Sequence, residues 1–361
     1  MNRPQALRDA GVSIWLDTLS RDLLDSGDFA ELIVNSAVTG ATSNPTIFAK
    51  AITTSDLYDD QLRAAGNRSA RELFFTIALD DVGRAADLLR PAYEAGDGRD
   101  GFVSFECTPD LADDAQATVE QALDLWSRLA RPNVMIKVPA TEAGIPAIEE
   151  LTARGVNVNV TLLFSARRYE QVIDAYLAGL ERRVAAGEPV DAIASVASFF
   201  VSRVDAKVDA LLPAHSGLRG RVAIANAHRA YGRYRARFAD QRWNALSAAG
   251  AHPQRPLWAS TGTKDPAYSD VLYVEQLIAP DVVNTMPAAT LHAFADHGQA
   301  TRTLGESSGA AEQVLRDAER AGIDLDAITT QLEIEGVQSF CDSYRQLLSC
   351  IDQKRMKVAV T

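Results

Sequence analysis

The sequence predicts a (β/α)8 barrel, and three observations predict it: eight short, nearly continuous apolar runs, a polar turn after each, and segments of helical period between them. A strand covered by helices on both faces is apolar throughout, so runs of this kind mark a parallel sheet. The expected strands are Ser13–Asp17, Val38–Ser43, Gly101–Glu106, Val134–Val138, Val156–Leu162, Ala192–Phe199, Pro256–Ser260 and Val282–Asn284.

Between the strands, Tyr169, Val172, Ile173, Tyr176, Leu177, Leu180 and Val184 recur at helical spacing, with Ser165 placed to cap the start and Gly187 just past the end. A second helix starts with Pro146 in its first position, carries Ile148 and Leu151 on one face and stops at Gly155. The stretch from Val204 to Arg255 is too long for a simple connection and predicts one or two extra helices, with Tyr231, Tyr234, Phe238 and Trp243 partly buried. After the last strand come helices reaching to about Lys354, the final one positioned to fold back across the barrel mouth. The chain has 361 residues, 47% of them hydrophobic, and no Gly/Ser-rich or Pro-rich linker. It therefore reads as a single barrel domain over residues 1–361, with extra helices after the sixth strand and at the C-terminus.

A formal net charge of -12 opposes non-specific attraction to nucleic acid or to an anionic membrane surface, so neither is expected as a partner. An anionic substrate then needs a local basic pocket. Cys107, Cys341 and Cys350 are odd in number and fall at no metal-ligand spacing. With a polar opening segment and no apolar run of membrane-spanning length, they point to a reduced, cytoplasmic protein. Oligomeric state is left open, a homodimer included.

The sharpest chemical feature is Lys137 in Val134-Met135-Ile136-Lys137-Val138-Pro139-Ala140, because a lysine inside an apolar barrel strand has the lumen as its natural place. Burial disfavours an ammonium and favours the neutral amine that attacks carbonyls. Taken alone, such a lysine is better explained by snorkelling or an ion pair at a strand end. Its companions change the balance. Asp17 closes the first strand and Glu106 the third, where functional groups of such barrels gather. Asn44, Asn159, Thr161 and Ser198 fall at other strand ends, so six strands contribute to one cavity. Asn157, Asn159 and Thr161 alternate along one strand and share a face, which points inward because the outer side meets helices. Thr42-Ser43-Asn44-Pro45-Thr46 follows the second strand and reads either as pocket-lining polar residues or as an ordinary capping turn.

For the anionic end of a substrate, Arg203 follows the sixth strand, and Ser260-Thr261-Gly262-Thr263-Lys264 follows the seventh. Late loops of this kind are the usual phosphate sites of such barrels, Gly-containing turns supplying N–H groups and Arg or Lys the charge. The turn lacks the first glycine of a Walker loop, and no G-x-S-x-G or G-x-G-x-x-G follows a strand. The five histidines, His215, His228, His252, His292 and His297, stand at no ligand spacing beside carboxylates, so no metal is expected.

Nearly the whole chain, from about Ser13 to the final helices, resembles the transaldolases, class I aldolase-type enzymes of the pentose phosphate pathway. The resemblance rests on Ala41-Thr42-Ser43-Asn44-Pro45-Thr46, on Ile136-Lys137-Val138-Pro139-Ala140-Thr141 and on Asn157 through Ser165, in that order. It implies that Lys137 holds a dihydroxyacetone unit as imine or enamine, and that Asp17 handles the hydroxyl proton of C–C cleavage. It further implies that Glu106 and Thr161 position a catalytic water, that Thr42, Asn44, Asn159 and Ser198 bind the ketose hydroxyls, and that Arg203 holds the phosphate. The implied reaction takes sedoheptulose 7-phosphate and glyceraldehyde 3-phosphate to erythrose 4-phosphate and fructose 6-phosphate, with sugar phosphates as substrates and no cofactor. Where better-known members carry a second phosphate-binding Arg, this chain has Ser260 to Lys264, and Lys264 is the expected substitute. The nearest alternative is a fructose 6-phosphate aldolase-like enzyme that releases free dihydroxyacetone; such relatives tend to carry Gln at Glu106 and Tyr at Phe200. A catalytically silent barrel kept for interactions is a third reading, and it would be expected to have lost Lys137 or Asp17.

Overall fold

In the computed structural model, which describes residues 2–64, 66–305 and 308–358, eight parallel strands close into a barrel in sequence order, the last pairing with the first. They are β1 (Val12–Leu16), β2 (Val38–Thr42), β3 (Phe102–Glu106), β4 (Val134–Pro139), β5 (Val158–Leu163), β6 (Ser195–Phe200), β7 (Arg255–Ala259) and β8 (Val282–Met286). All eight expected strands form, with ends moved by up to three residues. Two of the shifts matter for the site. Asn157 lies just before β5 and serves the opposite mouth, its Nδ2 donating to the carbonyls of Pro132 and Val134 and its Oδ1 accepting from Ala194 N. β8 runs two residues further than expected and adds Thr285.

The lumen is filled from the N-terminal end. Ser13, Trp15 and the position of Asp17 share one face of β1, and the Trp15 indole rests against Gly40 so closely that a Cβ there would lie 2.5 Å from the ring. Asp100 accepts from Trp15 Nε1 at 2.9 Å and from Ser13 Oγ at 2.6 Å, and Arg255 Nη1 donates to Ser13 Oγ at 2.9 Å. This polar plug closes the lower lumen and leaves the carboxyl ends of the strands for chemistry.

The helices follow from capping and periodicity. Ser165 accepts from Arg168 N and starts helix Ala166–Ala185, whose buried face carries Tyr169, Val172, Ile173, Tyr176, Leu177 and Leu180. Val184, read as part of that stripe, is exposed, because the last turn projects it to solvent. The helix read as starting at Pro146 begins two residues earlier, at Gly144, where a Cβ would lie 1.9 Å from the Pro139 carbonyl oxygen. The stretch after β6 holds three helices, Ser202–Asp209, Val222–Arg237 and Gln241–Ala248, where one or two were expected. Pro213, Gly217 and Gly220 interrupt the first break, and Asp240 caps the third helix by accepting from Trp243 N. Tyr231, Tyr234 and Trp243 are fully rather than partly buried.

The terminal helix, Leu325–Val358, lies across the loops that follow β2, β3, β5 and β6. Ser343 Oγ accepts from Thr46 Oγ1 at 2.9 Å, Cys341 Sγ meets the Pro109 carbonyl, and Lys207 pairs with Glu335. Gly336 fits over Leu162, a residue held at φ 59° where β5 bulges against β6. A bulky side chain in the left-handed region is strained, and such strain clusters beside functional residues.

Under the helix Ala70–Ala95 sits a buried ion pair that no local pattern announces. Asp81, with no exposed surface, accepts from Arg21 Nε at 2.9 Å, Arg21 Nη2 at 2.8 Å and the Tyr58 hydroxyl at 3.1 Å. Removing one member leaves an uncompensated buried charge. Arg21→Met is therefore expected to cost roughly 3 kcal/mol in urea unfolding, most of it recovered in Arg21→Met/Asp81→Leu. A single variant with an unchanged midpoint contradicts this account.

Candidate active site

The site is assembled by strand register. Glu106 on β3 pairs with Lys137 on β4, which pairs with Asn159 on β5, so the three side chains stand on one level of the barrel wall. Lys137 is 6% exposed; its Nζ lies 3.1 Å from Glu106 Oε1 and donates to the Ser43 carbonyl at 3.2 Å. The sequence expectation of an inward, buried amine thus holds.

Asn159 has no exposed surface and is oriented by both its amide atoms: Nδ2 donates to Ser104 Oγ at 2.8 Å, and Oδ1 accepts from Ser198 Oγ at 2.7 Å. Asp17 stands one residue beyond β1, anchored through its N–H on the Met286 carbonyl, and its Oδ1 accepts from Thr42 Oγ1 at 3.0 Å. Burial pushes the Asp17 carboxyl above its ordinary value of 3.8, while Lys137, the Thr42 hydrogen bond, Arg203 and Lys264 all pull it back. Burial also raises Glu106; Lys137 opposes the rise and Asp17 adds to it. Lys137 acts on both carboxyls, and Asp17 acts on Glu106, so two carboxyls and an amine stand close enough to combine proton acceptors with a nucleophile.

Three polar atoms here are buried with no hydrogen-bond partner, Glu106 Oε1, which has only the Lys137 ion pair, Glu106 Oε2 and Thr161 Oγ1, on the strands either side of β4. Buried polar groups are nearly always satisfied, so these atoms are free to pair with a bound molecule or a water.

The anion-binding candidates divide by depth. Arg203, second residue of its helix, is half-buried with its guanidinium 5.2 Å from the Phe200 ring centroid. Among the described residues no carboxylate salt-bridges it, and its field reaches Asp17. Ser260 adopts φ 57° directly after β7, its Oγ 2.9 Å from Ser202 Oγ. Lys264 is exposed, further out on that loop, beside a cavity of about 430 Å³ shared with Ser202, Arg219 and Tyr268. Asn44 is the N-cap of helix Pro45–Thr54, Oδ1 accepting from Ile47 N at 3.1 Å, so the capping reading of that turn holds. It also lines a small cavity with Glu106, Thr108 and Tyr344.

Four residues at the site were not singled out from sequence. Ser43 supplies the carbonyl that receives the Lys137 ammonium, Ser104 orients Asn159, Thr285 touches Thr42, and Tyr344 arrives from the terminal helix. For Ser104 and Thr285 the inward alternation along their strands was the available signal. A separate cavity of about 260 Å³ opens at the opposite mouth, around Phe102, Met135, Trp243 and Arg255, and includes none of the residues above. Convergence of charged groups, not cavity size, locates the site. Among the described residues no group of three or more His, Cys, Asp or Glu side chains is placed to hold a metal ion.

A closed parallel barrel that gathers a buried lysine and two carboxyls at the carboxyl ends of its strands has the layout of a barrel enzyme, with groups able to do amine and acid–base chemistry. A family model described as Transaldolase/Fructose-6-phosphate aldolase matches residues 14–351. Transaldolase of Saccharopolyspora erythraea is 53% identical over 357 residues, covering 97% of each chain. Those of Frankia alni and Thermobifida fusca are each 51% identical, over 96% and 97% of both chains respectively. The chain belongs to the transaldolase/fructose-6-phosphate aldolase family, and with such relatives along its length it is an enzyme, a transferase. No described helix is long and apolar enough to cross a membrane.

Proposed function

We propose that this chain is a transaldolase that carries dihydroxyacetone on Lys137 from sedoheptulose 7-phosphate to glyceraldehyde 3-phosphate. The observation that carries the reading is the buried Lys137 amine, 3.1 Å from Glu106 and near enough to Asp17 for its charge to act on that carboxyl.

Glu106, with its basicity raised by burial, takes a proton from Lys137, and the free amine adds to the ketose carbonyl. The carbinolamine loses water to give the imine, with Glu106 Oε2 and Thr161 Oγ1 as the unpaired groups that hold the leaving or entering water. Asp17 then accepts the C4 hydroxyl proton as the C3–C4 bond breaks, its electron pair entering the imine as an enamine. Erythrose 4-phosphate departs. The enamine carbon adds to the aldehyde of glyceraldehyde 3-phosphate, Asp17 returns the proton to the new alkoxide, and hydrolysis frees fructose 6-phosphate and the amine. Thr42, Asn44, Asn159 and Ser198 hold the ketose hydroxyls. Arg203 holds the phosphate with its planar fork, and Ser260 and Lys264 complete that end with a hydroxyl and a point charge. The chemistry requires no cofactor. We further read the chain as one barrel domain, cytoplasmic, and compatible with a homodimer.

Glu106 in place of Gln and Phe200 in place of Tyr favour transfer over release of free dihydroxyacetone. The test compares erythrose 4-phosphate formed from sedoheptulose 7-phosphate, with and without glyceraldehyde 3-phosphate, against free dihydroxyacetone. Acceptor-dependent turnover with little free dihydroxyacetone is expected; acceptor-independent release assigns the aldolase reaction instead.

A further inference from the structure

The Thr42 hydroxyl stands between two oxygens, 3.0 Å from Asp17 Oδ1 and 2.9 Å from Thr285 Oγ1. A hydroxyl has one hydrogen to give. An ionised Asp17 only accepts, so Thr42 spends its hydrogen there and its remaining close oxygen contact must be filled by the Thr285 hydroxyl donating. Thr285 is 3% exposed and sits opposite Trp15 in the β8–β1 register, so it faces the lumen as Trp15 does. The Thr261 hydroxyl lies 2.9 Å from Asn284 Oδ1 and 3.2 Å from the Thr285 carbonyl, tying the loop after β7 to the end of β8.

We infer that Thr285 is a positioning residue for the reaction proposed above, acting on Asp17 through Thr42 as the far end of a directed hydroxyl relay. With Asp17 ionised, the relay runs Thr285 to Thr42 to the carboxylate. Once Asp17 has taken the substrate's hydroxyl proton it becomes a donor, Thr42 accepts from it and gives its own hydrogen to Thr285. Both hydroxyls turn together, and neither protonation state of Asp17 leaves Thr42 without a partner. In a buried network each hydrogen bond polarises the next, so the outer hydroxyl strengthens the inner one. The charges facing Asp17 are Lys137 on β4, Arg203 after β6 and Lys264 after β7, with Glu106 on β3 opposing; the hydroxyl of Thr285 is paired with Thr42 and not with any of these.

The test is Thr285→Val, of the same shape without the hydroxyl, beside Thr285→Ser, which keeps it. In the valine variant kcat is expected to fall about 3–10-fold, the effect of one lost hydrogen bond. The acid limb of kcat/KM moves to higher pH, because the carboxylate has lost support, and KM for the ketose stays within about two-fold. Serine restores both. In an Asp17→Asn background the valine effect disappears, since the residue acts through the carboxylate. A valine variant with wild-type kcat and pH profile overturns the inference, as does a serine variant as impaired as valine, which assigns the methyl group a packing role. Should valine fail to fold, Thr285→Ala with the same pH profile decides. The inference rests on the transaldolase reading but fails separately from it: loss of that reading shows in the wild-type enzyme as absent transfer, whereas here wild-type transfer persists and the variant alone is indifferent.

Discussion

Lys137→Met is expected to lower transfer by about 10⁴-fold or more and to abolish the adduct that borohydride traps with fructose 6-phosphate. Methionine matches the length of the lysine stem and leaves the strand apolar, so the barrel has no reason to open. Glu106 loses the cation at 3.1 Å, but its carboxyl is already pushed towards the neutral form by burial, and protonation removes the charge that would otherwise be stranded. The variant should therefore fold, bind ketose and do no chemistry. Lys137→Arg separates charge from nucleophilicity: it keeps a cation beside Glu106 yet supplies no free amine. In the wild-type enzyme, peptide mapping should place the trapped label on Lys137. A label on another lysine, or more than a few per cent of activity in the methionine variant, would falsify the assignment.

Asp17→Asn should keep the trapped adduct and slow turnover by about 10²–10⁴-fold, the range for a lost general acid–base group. Asparagine retains an oxygen to accept from Thr42, so the geometry of the relay is preserved while the proton acceptor is gone. The same variant has a stability signature. The folded environment raises the Asp17 carboxyl above 3.8, so its stabilising contribution is complete below that pH and is lost as pH rises through the folded value. The uncharged amide escapes that loss. In thermal unfolding the Asp17→Asn variant is thus expected to be more stable than wild type at pH 7, the gap closing as pH falls below about 3.8. A gap of the opposite sign, or one indifferent to pH, removes burial as the dominant influence on this group. Unchanged turnover removes Asp17 from the chemistry.

Much of this architecture was legible in one dimension because barrel strands are buried on both faces and so stand out as apolar runs. The polar exceptions inside those runs, Lys137, Glu106 and Asn159, were legible for the same reason: an outlier in an apolar strand has the lumen as its place. What the sequence hid depends on distant partners. Asn44 satisfied two readings, and the choice of the cap lies in a backbone N–H three residues on. Thr285 stood in Asn284-Thr285-Met286-Pro287, where the approaching proline made the strand look finished early. The bulge at Leu162 leaves no mark in a run of apolar letters, and the Arg21–Asp81 pair joins residues sixty positions apart. The Trp15 contact with Gly40 is visible only once β1 lies beside β2.

The helix over the mouth also bears on the order in which the enzyme comes into being. Lys354 Nζ reaches back to the Ile52 carbonyl at 2.9 Å and to Asp59, and Thr46 meets Ser343, so the turn beginning at Asn44 gains its outer support from residues translated some three hundred codons later. Contacts of such separation form late in folding. The seam between β1 and β8 joins residues 270 positions apart as well, Val12 with Val282, so the closed barrel and the roof over its entrance both wait on the last part of the chain. Competence for transfer should then arrive as a discrete event, at the docking of the last helix, and not gradually with the growth of the sheet.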